Sequence, residues 1–229
     1  MPFVFWNISD VNVRTFKELQ PSLWAVNIMN GTRMNFNNTL VNATSHSAPP
    51  NTIRTGNTDG FGESLMSALE RYLHRSNGVS IGSLGQYLAD RPVGDVVFDG
   101  VSVTRGSQNL RDSAYIKTWM GEPVSQDWYE SGGVPRSGSW GLVRNVTFRD
   151  FRLPGPNHGP MITQNAGNNG MGFEGTRKME VRDVLFENWT GFLAGETRIG
   201  HVRLLSRPPL FGHRGSQRKP ADLELRHSR

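Results

Sequence analysis

The sequence predicts an all-β protein of the parallel β-solenoid type, and three observations support this class. The 229 residues include 26 glycines and only 20% charged residues, a composition typical of turn-rich β-proteins. A short strand-like pattern recurs along the chain, as expected of coils that stack on one another. Few of the turn pairs typical of β-hairpins separate the copies. An antiparallel sandwich with evenly spaced strands is the alternative fold.

The recurring pattern places Val, then Asp or Asn, then Val and Phe at fixed positions, with polar residues between them. Its copies are 93–101 (VGDVVFDGV), 143–151 (VRNVTFRDF), 181–189 (VRDVLFENW) and a degenerate copy at 34–41 (MNFNNTLV). Apolar residues that alternate with polar ones indicate strands with one buried face. We therefore expect Phe98, Phe148 and Phe186 to point inward and to stack as a ladder.

Two segments between the copies, 114–119 and 161–165, are also predicted to be strands. Strands then start near residues 93, 115, 143, 161 and 181, in steps of 18 to 28 residues. Steps of this length predict about one solenoid coil each.

Two regions depart from this pattern. Segment 63–75 (ESLMSALERYLHR) carries three leucines spaced four residues apart, which predicts a short amphipathic helix inserted in the solenoid. From residue 196 onward the alternation stops, and Arg, Pro and His dominate. The predicted organisation is one β-helix domain over 1–195, followed by a basic, disordered tail over 196–229.

The charge distribution argues against a nucleic-acid partner. The formal net charge is +5, but acidic and basic residues balance over 1–195, and the whole excess lies in the tail. A basic tail is more often solvated, whereas a nucleic-acid site needs a basic patch on the fold. No apolar run approaches the length of a membrane span. Neither nucleic acid nor a membrane is an expected partner.

No metal or cofactor is expected either. The chain has no cysteine, which excludes disulfides and thiolate ligands. His158 and His201 lack a ligand-like spacing to other donor residues.

The sequence carries mixed signals about secretion. Its first residues, MPFVFW, show no charged and hydrophobic segments of a secretory signal. Six glycosylation sequons nevertheless favour a secreted lineage, at Asn7, Asn30, Asn37, Asn42, Asn145 and Asn188. An asparagine-rich β-protein also forms such sequons for structural reasons.

The candidate site centres on segment 57–61 (NTDGF), which places Asp59 between a threonine and a glycine at the end of a polar loop. On its own, such a loop is explained by an Asx-turn that caps a strand. The neighbouring motifs favour a catalytic carboxylate instead.

Three segments follow one another in the order of a known family: 57–61 (NTDGF), 76–87 (SNGVSIGSLGQY) and 113–119 (SAYIKTW). Together with the coil pattern they resemble glycoside hydrolase family 28, the polygalacturonases, and most of all its fungal exo-acting branch. The resemblance runs from about residue 3 to residue 195. It implies a right-handed parallel β-helix, shortened here, that hydrolyses terminal α-1,4-linked galacturonic acid units of pectin, or rhamnogalacturonan ends, with inversion.

The resemblance also assigns roles to single residues. An inverting glycosidase needs one protonated carboxyl group to donate a proton to the leaving oxygen, and one carboxylate to activate water. Asp59 matches the water-activating carboxylate, and Lys117 matches the lysine that holds the substrate's own carboxylate. Asn77, Tyr115 and Asn57 match substrate-binding positions, the first two with residues similar to those of the exo-acting branch.

The chain departs from the family at the proton donor. The family carries two adjacent Asp residues on a coil between the first and second motifs, and this chain has no Asp-Asp pair. The predicted helix occupies the interval, and Glu63 and Glu70 within it are expected to face solvent. Loss of the donor predicts weak hydrolysis.

Two alternatives to an active hydrolase stay open: a non-catalytic pectin-binding remnant, and a truncated or decayed gene product of the same family. A β-helix lyase is disfavoured because the sequence has no Asp-rich calcium cluster. By resemblance, the protein is expected to be an extracellular monomer that needs no cofactor.

Overall fold

The computed structural model describes residues 3–20, 25–42, 59–62, 66–74, 77–85, 92–104, 112–119, 140–155, 158–166, 178–193, 198–199 and 204–205. Every regular element in this part of the chain is a β-strand, and the strands form two sheets.

The first sheet, sheet A, consists of six parallel strands that lie side by side in chain order. Its strands are β1 Phe3–Trp6, β4 Val26–Met29, β6 Asp59–Gly62, β8 Asn77–Leu84, β10 Asp112–Trp119 and β13 His158–Ala166. One face of the sheet is core, because apolar residues recur at every second position along β4 and β10 and are buried there.

The second sheet, sheet B, contains the strands with the recurring pattern and is parallel except at its last strands. Its strands are β2 Ser9–Arg14, β3 Lys17–Leu19, β5 Thr32–Asn42, β7 Met66–His74, β9 Val93–Thr104, β11 Gly141–Arg149, β12 Arg152–Pro154, β14 Met179–Glu187, β15 Thr190–Phe192, β16 Arg198–Ile199 and β17 Leu204–Leu205.

The chain alternates between the two sheets, and this alternation defines the coils of a parallel β-helix. Each coil adds one strand to sheet A and then one long strand, or two short ones, to sheet B. The predicted β-solenoid is therefore confirmed, and the antiparallel sandwich is excluded.

The predicted coil length is wrong. The five predicted strand starts fall alternately on sheet B and sheet A, so each step covers half a coil. Val93 pairs with Val143, and Val143 pairs with Val181. Equivalent residues in these coils are thus 50 and 38 positions apart. The segments of chain that link a strand of sheet A to the next strand of sheet B are long here. The spacing of strands along the chain therefore does not reveal which sheet a strand joins.

The predicted phenylalanine ladder is confirmed. Phe98, Phe148 and Phe186 occupy paired positions on β9, β11 and β14 and are buried. Their rings stack, with centroids 5.2 Å apart for the first pair and 4.9 Å for the second. A second ladder follows three residues later, where the rings of Phe151 and Trp189 stack at 4.2 Å. These rings fill the space between sheets A and B and form the core.

The Asp or Asn of the recurring pattern has a backbone explanation. Asp95, Asn145 and Asp183 have φ angles of 58°, 50° and 53°, in the left-handed region that Asn and Asp tolerate better than other non-glycine residues. One left-handed residue shifts the alternation, so that Val93 and Val96, three positions apart, are both buried. Nine of the twelve described non-glycine residues with positive φ are Asn or Asp, which accounts for part of the asparagine-rich composition.

The predicted helix over 63–75 is wrong. Residues Met66–His74 form strand β7, which pairs in parallel with β5 on one side and with β9 on the other. Residues 63–65 and 75 lie outside the described residues. Leucines four residues apart suit a helix face, but hydrogen bonding to strands on both edges outweighs this local preference. The interval after Asp59 therefore completes an ordinary coil.

Within the predicted tail, the structure describes two dipeptide strands. Strand β16 pairs antiparallel with β15, and β17 pairs antiparallel with β14. They cover part of the last coil of sheet B, where an unpaired edge would otherwise expose backbone hydrogen-bonding groups. The rest of 196–229 lies outside the described residues, and the boundary at 195 stays a prediction.

Candidate active site

Four consecutive strands of sheet A begin at the same row of the sheet, which we call the leading row. It consists of Asp59 in β6, Asn77 in β8, Asp112 in β10 and His158 in β13. Asp59 pairs with Asn77, and Asp112 pairs with His158. The register between β8 and β10, continued back by two residues, places Asn77 level with Asp112. Polar residues from four coils thus lie side by side at the N-terminal ends of their strands.

Sheet geometry sets the spacing within the leading row. Neighbouring strands lie about 4.8 Å apart, so the backbones of Asp59 and Asp112, two strands apart, are separated by about 10 Å. Asn77 lies between them, and His158, which is exposed, follows one strand further on. A row with two acidic residues on strands this close provides the residue types that inverting glycosidases use, one carboxyl group as the acid and one as the base.

Tyr115 and Lys117 lie on the outer face of sheet A. Both are partly exposed, and they alternate along β10 with the buried residues Ala114, Ile116 and Thr118. Within the part of the chain that the structure describes, Lys117 forms no ion pair. Lys117 thus places a positive charge on this partly exposed face.

The structure brings the predicted site residues together in two pairs rather than in one cluster. Asp59 and Asn77 share the leading row, whereas Tyr115 and Lys117 stand three and five positions beyond it, about 10 Å and 16 Å along the strand. By alternation, position 112 belongs with the buried Ala114 and Ile116 and not with Lys117, so a ligand that reached both pairs would have to be an extended chain that runs from the strand ends onto the outer face. Asn57 lies outside the described residues.

Sequence reasoning missed Asp112 and His158. The signal lay in the alignment of core residues: once Val79 and Ala114 are matched as neighbours, Asp112 falls level with Asn77. Asp112 also stands five residues before Lys117, so the third motif extends back to a carboxylate. Neither relation is visible without knowing that β8 and β10 are adjacent.

Two charge pairs in the described residues lie on sheet B and join successive coils. Arg149 donates hydrogen bonds to Asp99 through Nε at 3.2 Å and through Nη2, and this bonding raises the pKa of Arg149. Arg33 donates two hydrogen bonds to Asp10, at 2.6 and 2.7 Å, which lower the pKa of the Asp10 carboxyl. These pairs connect neighbouring strands and so have a structural role.

Among the described residues, no group of three or more His, Asp or Glu side chains is arranged to hold a metal ion. The same residues contain no helix long and apolar enough to cross a membrane.

Several of the sequon asparagines have structural roles. Asn7, Asn30, Asn145 and Asn188 all adopt positive φ, between 50° and 54°. Their amides also bond along the coils: Asn145 donates to Asp95 at 2.6 Å, and Asn188 donates to Asp150 at 3.0 Å. Asn37 and Asn42 lie on β5. Glycosylation of any of the six stays a prediction.

Comparison with known proteins gives close sequence relatives and a structural neighbour. A protein of Neosartorya fischeri assigned as galacturan 1,4-alpha-galacturonidase C is 41% identical over 87% of this chain and 54% of its own length. Exopolygalacturonase A of Aspergillus niger is 33% identical over 51% of this chain and 25% of its own length. The crystal structure of endo-xylogalacturonan hydrolase from Aspergillus tubingensis matches 81% of this chain and 52% of that chain, with a TM-score of 0.58 and 18% identity, a likeness of fold. No family profile matches the chain.

The fold and the leading row define the class as a parallel β-helix protein with polar residues gathered on one sheet. Within this class, the sequence relatives are named galacturan 1,4-alpha-galacturonidase and exopolygalacturonase, which supports the resemblance to glycoside hydrolase family 28 seen in the sequence. The chain spans about half the length of the galacturan 1,4-alpha-galacturonidase C of Neosartorya fischeri.

Proposed function

We propose that this chain carries the active site of an inverting, exo-acting glycoside hydrolase that removes terminal α-linked galacturonic acid units from pectin. The leading row carries the proposal, because it aligns two aspartates, an asparagine and a histidine at the N-terminal ends of four strands of sheet A. The names of the relatives supply the substrate class.

The two carboxylates divide the chemistry of inversion. We assign water activation to Asp59, on the motif that the resemblance supplies. We assign proton donation to Asp112, which occupies the same row two strands away. Inverting enzymes hold their carboxyl groups about 6.5–9.5 Å apart so that water fits opposite the leaving group. The backbones of the two residues lie about 10 Å apart, which is close to that separation.

Lys117 and Tyr115 bind the pectic chain beyond the reacting bond. A lysine on a stiff strand, with its neighbours Ile116 and Thr118 buried, offers a fixed cation to a uronate carboxylate. Tyr115 offers a partly exposed ring on the same face. A separation of about 16 Å along β10 exceeds the length of one sugar unit, so it assigns the bound carboxylate to a unit that does not adjoin the cleaved bond.

The decisive experiment measures reducing ends released from polygalacturonate by the purified chain and by Asp59→Asn, Asp112→Asn and Lys117→Ala variants. Loss of either carboxylate is expected to lower the rate on the order of 10²–10⁴-fold. Asp183→Asn, an acid-to-amide change at an exposed position of strand β14 on sheet B, is the matched control and should leave the rate unchanged. Full turnover by Asp112→Asn would remove that residue from the mechanism, and full turnover by Asp59→Asn would refute the proposed site.

A non-catalytic pectin-binding protein is the second candidate, favoured by the missing Asp-Asp pair. It predicts that the wild-type chain binds polygalacturonate without releasing reducing ends, and that Lys117→Ala weakens this binding. The same samples decide between the two functions, with circular dichroism as the control for folding.

We further infer that the protein acts outside the cell as a monomer. A cell-wall polysaccharide is an extracellular substrate, and the six sequons agree with passage through the secretory pathway. Fractionation of the source culture and size-exclusion chromatography would test the two points separately.

A further inference from the structure

Two β-bulges flank Lys117, one in each neighbouring strand of sheet A. Between β10 and β8 the register shifts, because Ile116 pairs with Ile81 but Thr118 pairs with Leu84. Between β10 and β13 it shifts again, because Lys117 pairs with Thr163 but Trp119 pairs with Ala166. Strand β8 thus carries one extra residue opposite Lys117, and strand β13 carries one opposite the adjacent Thr118. Bulges of this kind bend a strand locally and re-aim its side chains.

The bulge in β8 requires glycine at position 82. Gly82 has a φ of +125°, a conformation that residues with a Cβ rarely adopt. A Cβ built on Gly82 would overlap the carbonyl oxygen of Lys117 and lie 3.2 Å from the Cβ of Lys117. Any other residue at position 82 must therefore push the backbone of Lys117 away.

A side-chain hydrogen bond anchors the bulge in β13. Gln164 lies in the bulged segment, and its Nε2 donates to the backbone oxygen of Met179, at 2.8 Å. Met179 begins β14 on sheet B. This hydrogen bond connects the bulge in β13 to the opposite sheet. Lys117 therefore lies between two bulges, one in β8 and one in β13, that the structure holds in place.

We propose that Gly82 is a positioning residue that sets the direction of the Lys117 ammonium for recognition of a uronate carboxylate. This rests on the proposed function, in which Lys117 binds that carboxylate. The reasoning is geometric: the buried residues on either side of Lys117 fix which face it points to, and the two bulges fix its position along that face. A charge-assisted hydrogen bond depends on such alignment.

The test compares binding of trigalacturonic acid with binding of its full methyl ester, by calorimetry. In the wild-type chain the free acid should bind about tenfold or more tightly than the ester. Lys117→Ala should abolish this preference, and Gly82→Ala should reduce it at least about threefold.

The chain offers a matched control for backbone strain. Gly191 on sheet B has a φ of +116°, and a Cβ there would overlap the carbonyl oxygen of Leu153. Gly191→Ala therefore imposes the same kind of strain on another sheet, and it should leave the preference for the free acid unchanged. Gln164→Ala is the second variant, since it loosens the other bulge without a steric clash and should also reduce the preference.

The outcomes separate the two proposals. A wild-type chain without preference for the free acid would overturn the proposed uronate site, and the positioning role with it. If the wild-type preference is lost in Lys117→Ala but fully kept in Gly82→Ala, the proposed function stands and the positioning role is refuted. Should Gly82→Ala fail to fold, a Gln164→Ala variant that keeps the full wild-type preference for the free acid would equally refute the positioning role. A similar loss of preference in Gly191→Ala would show a general effect of strain and would also count against it.

Discussion

Replacement of Phe148 tests whether the stacked ladder holds the coils together. Phe148 is fully buried, at 0% exposure. Its ring lies between Phe98 and Phe186, with interplanar angles of 14° and 8°, and meets Phe151 edge-on at 6.1 Å. It is thus the middle ring of three and contributes to two coil interfaces at once.

Two substitutions separate burial from stacking. Phe148→Ala in a close-packed core should lower the free energy of unfolding by about 3–5 kcal/mol. We expect the upper part of this range, because strands paired on both edges cannot move inward to fill the cavity. Phe148→Leu keeps most of the apolar volume but removes two stacked contacts, each worth about 0.5–1.5 kcal/mol, so it should cost about 1–3 kcal/mol.

Urea unfolding followed by far-ultraviolet circular dichroism measures both effects. Phe192→Ala is the control: Phe192 is 46% exposed on β15, and its removal should cost less than about 1 kcal/mol. Tryptophan fluorescence should give the same midpoint if the coils unfold together. The reasoning would be refuted if Phe148→Ala destabilised the protein no more than Phe192→Ala does.

Two further predictions concern charge on sheet B. Burial raises the pKa of Glu18, whose Oε2 has no hydrogen-bond partner among the described residues. Just above the usual carboxyl pKa, the folded state therefore binds more protons than the unfolded state. The free energy of unfolding then falls as pH rises through that window. Glu18→Gln should thus raise the melting temperature at neutral pH, with a gain that disappears in acid, and an equal gain at both pH values would contradict this. Asn145 lies in register between Asp95 and Asp183 and donates to the former, so Asn145→Asp should destabilise the protein at neutral pH by about 0.5–1 kcal/mol. Asn145→Gly, which keeps the left-handed turn without the charge, should lack the salt-dependent part of that loss in thermal unfolding, and an identical salt dependence in both variants would argue against repulsion.

The sequence alone predicted the features that depend on neighbouring residues. The alternation around Phe98, Phe148 and Phe186 reports which face of a strand is buried, so the ladder followed directly. The same local logic failed over 63–75, because leucines four residues apart fit a helix and also occur in a strand. Only pairing with β5 and β9 decides between the two.

Coil length escaped sequence reasoning for a related reason. Spacing along the chain measures the distance between strands in sequence, whereas sheet membership depends on how far each connection travels before the next strand pairs. Steps of 18 to 28 residues therefore fit half a coil as well as a whole one, although the alternation locates the strands themselves.

For the candidate site, the sequence by itself predicted the resemblance to a family and two motif residues, Asp59 and Lys117, because motifs are local and carry their residue types with them. Only the tertiary structure decided that Asp112 stands in the row of Asp59, and that two bulges hold Lys117. The physical reason is that backbone hydrogen bonds between adjacent coils fix a register between residues that are dozens of positions apart in the chain.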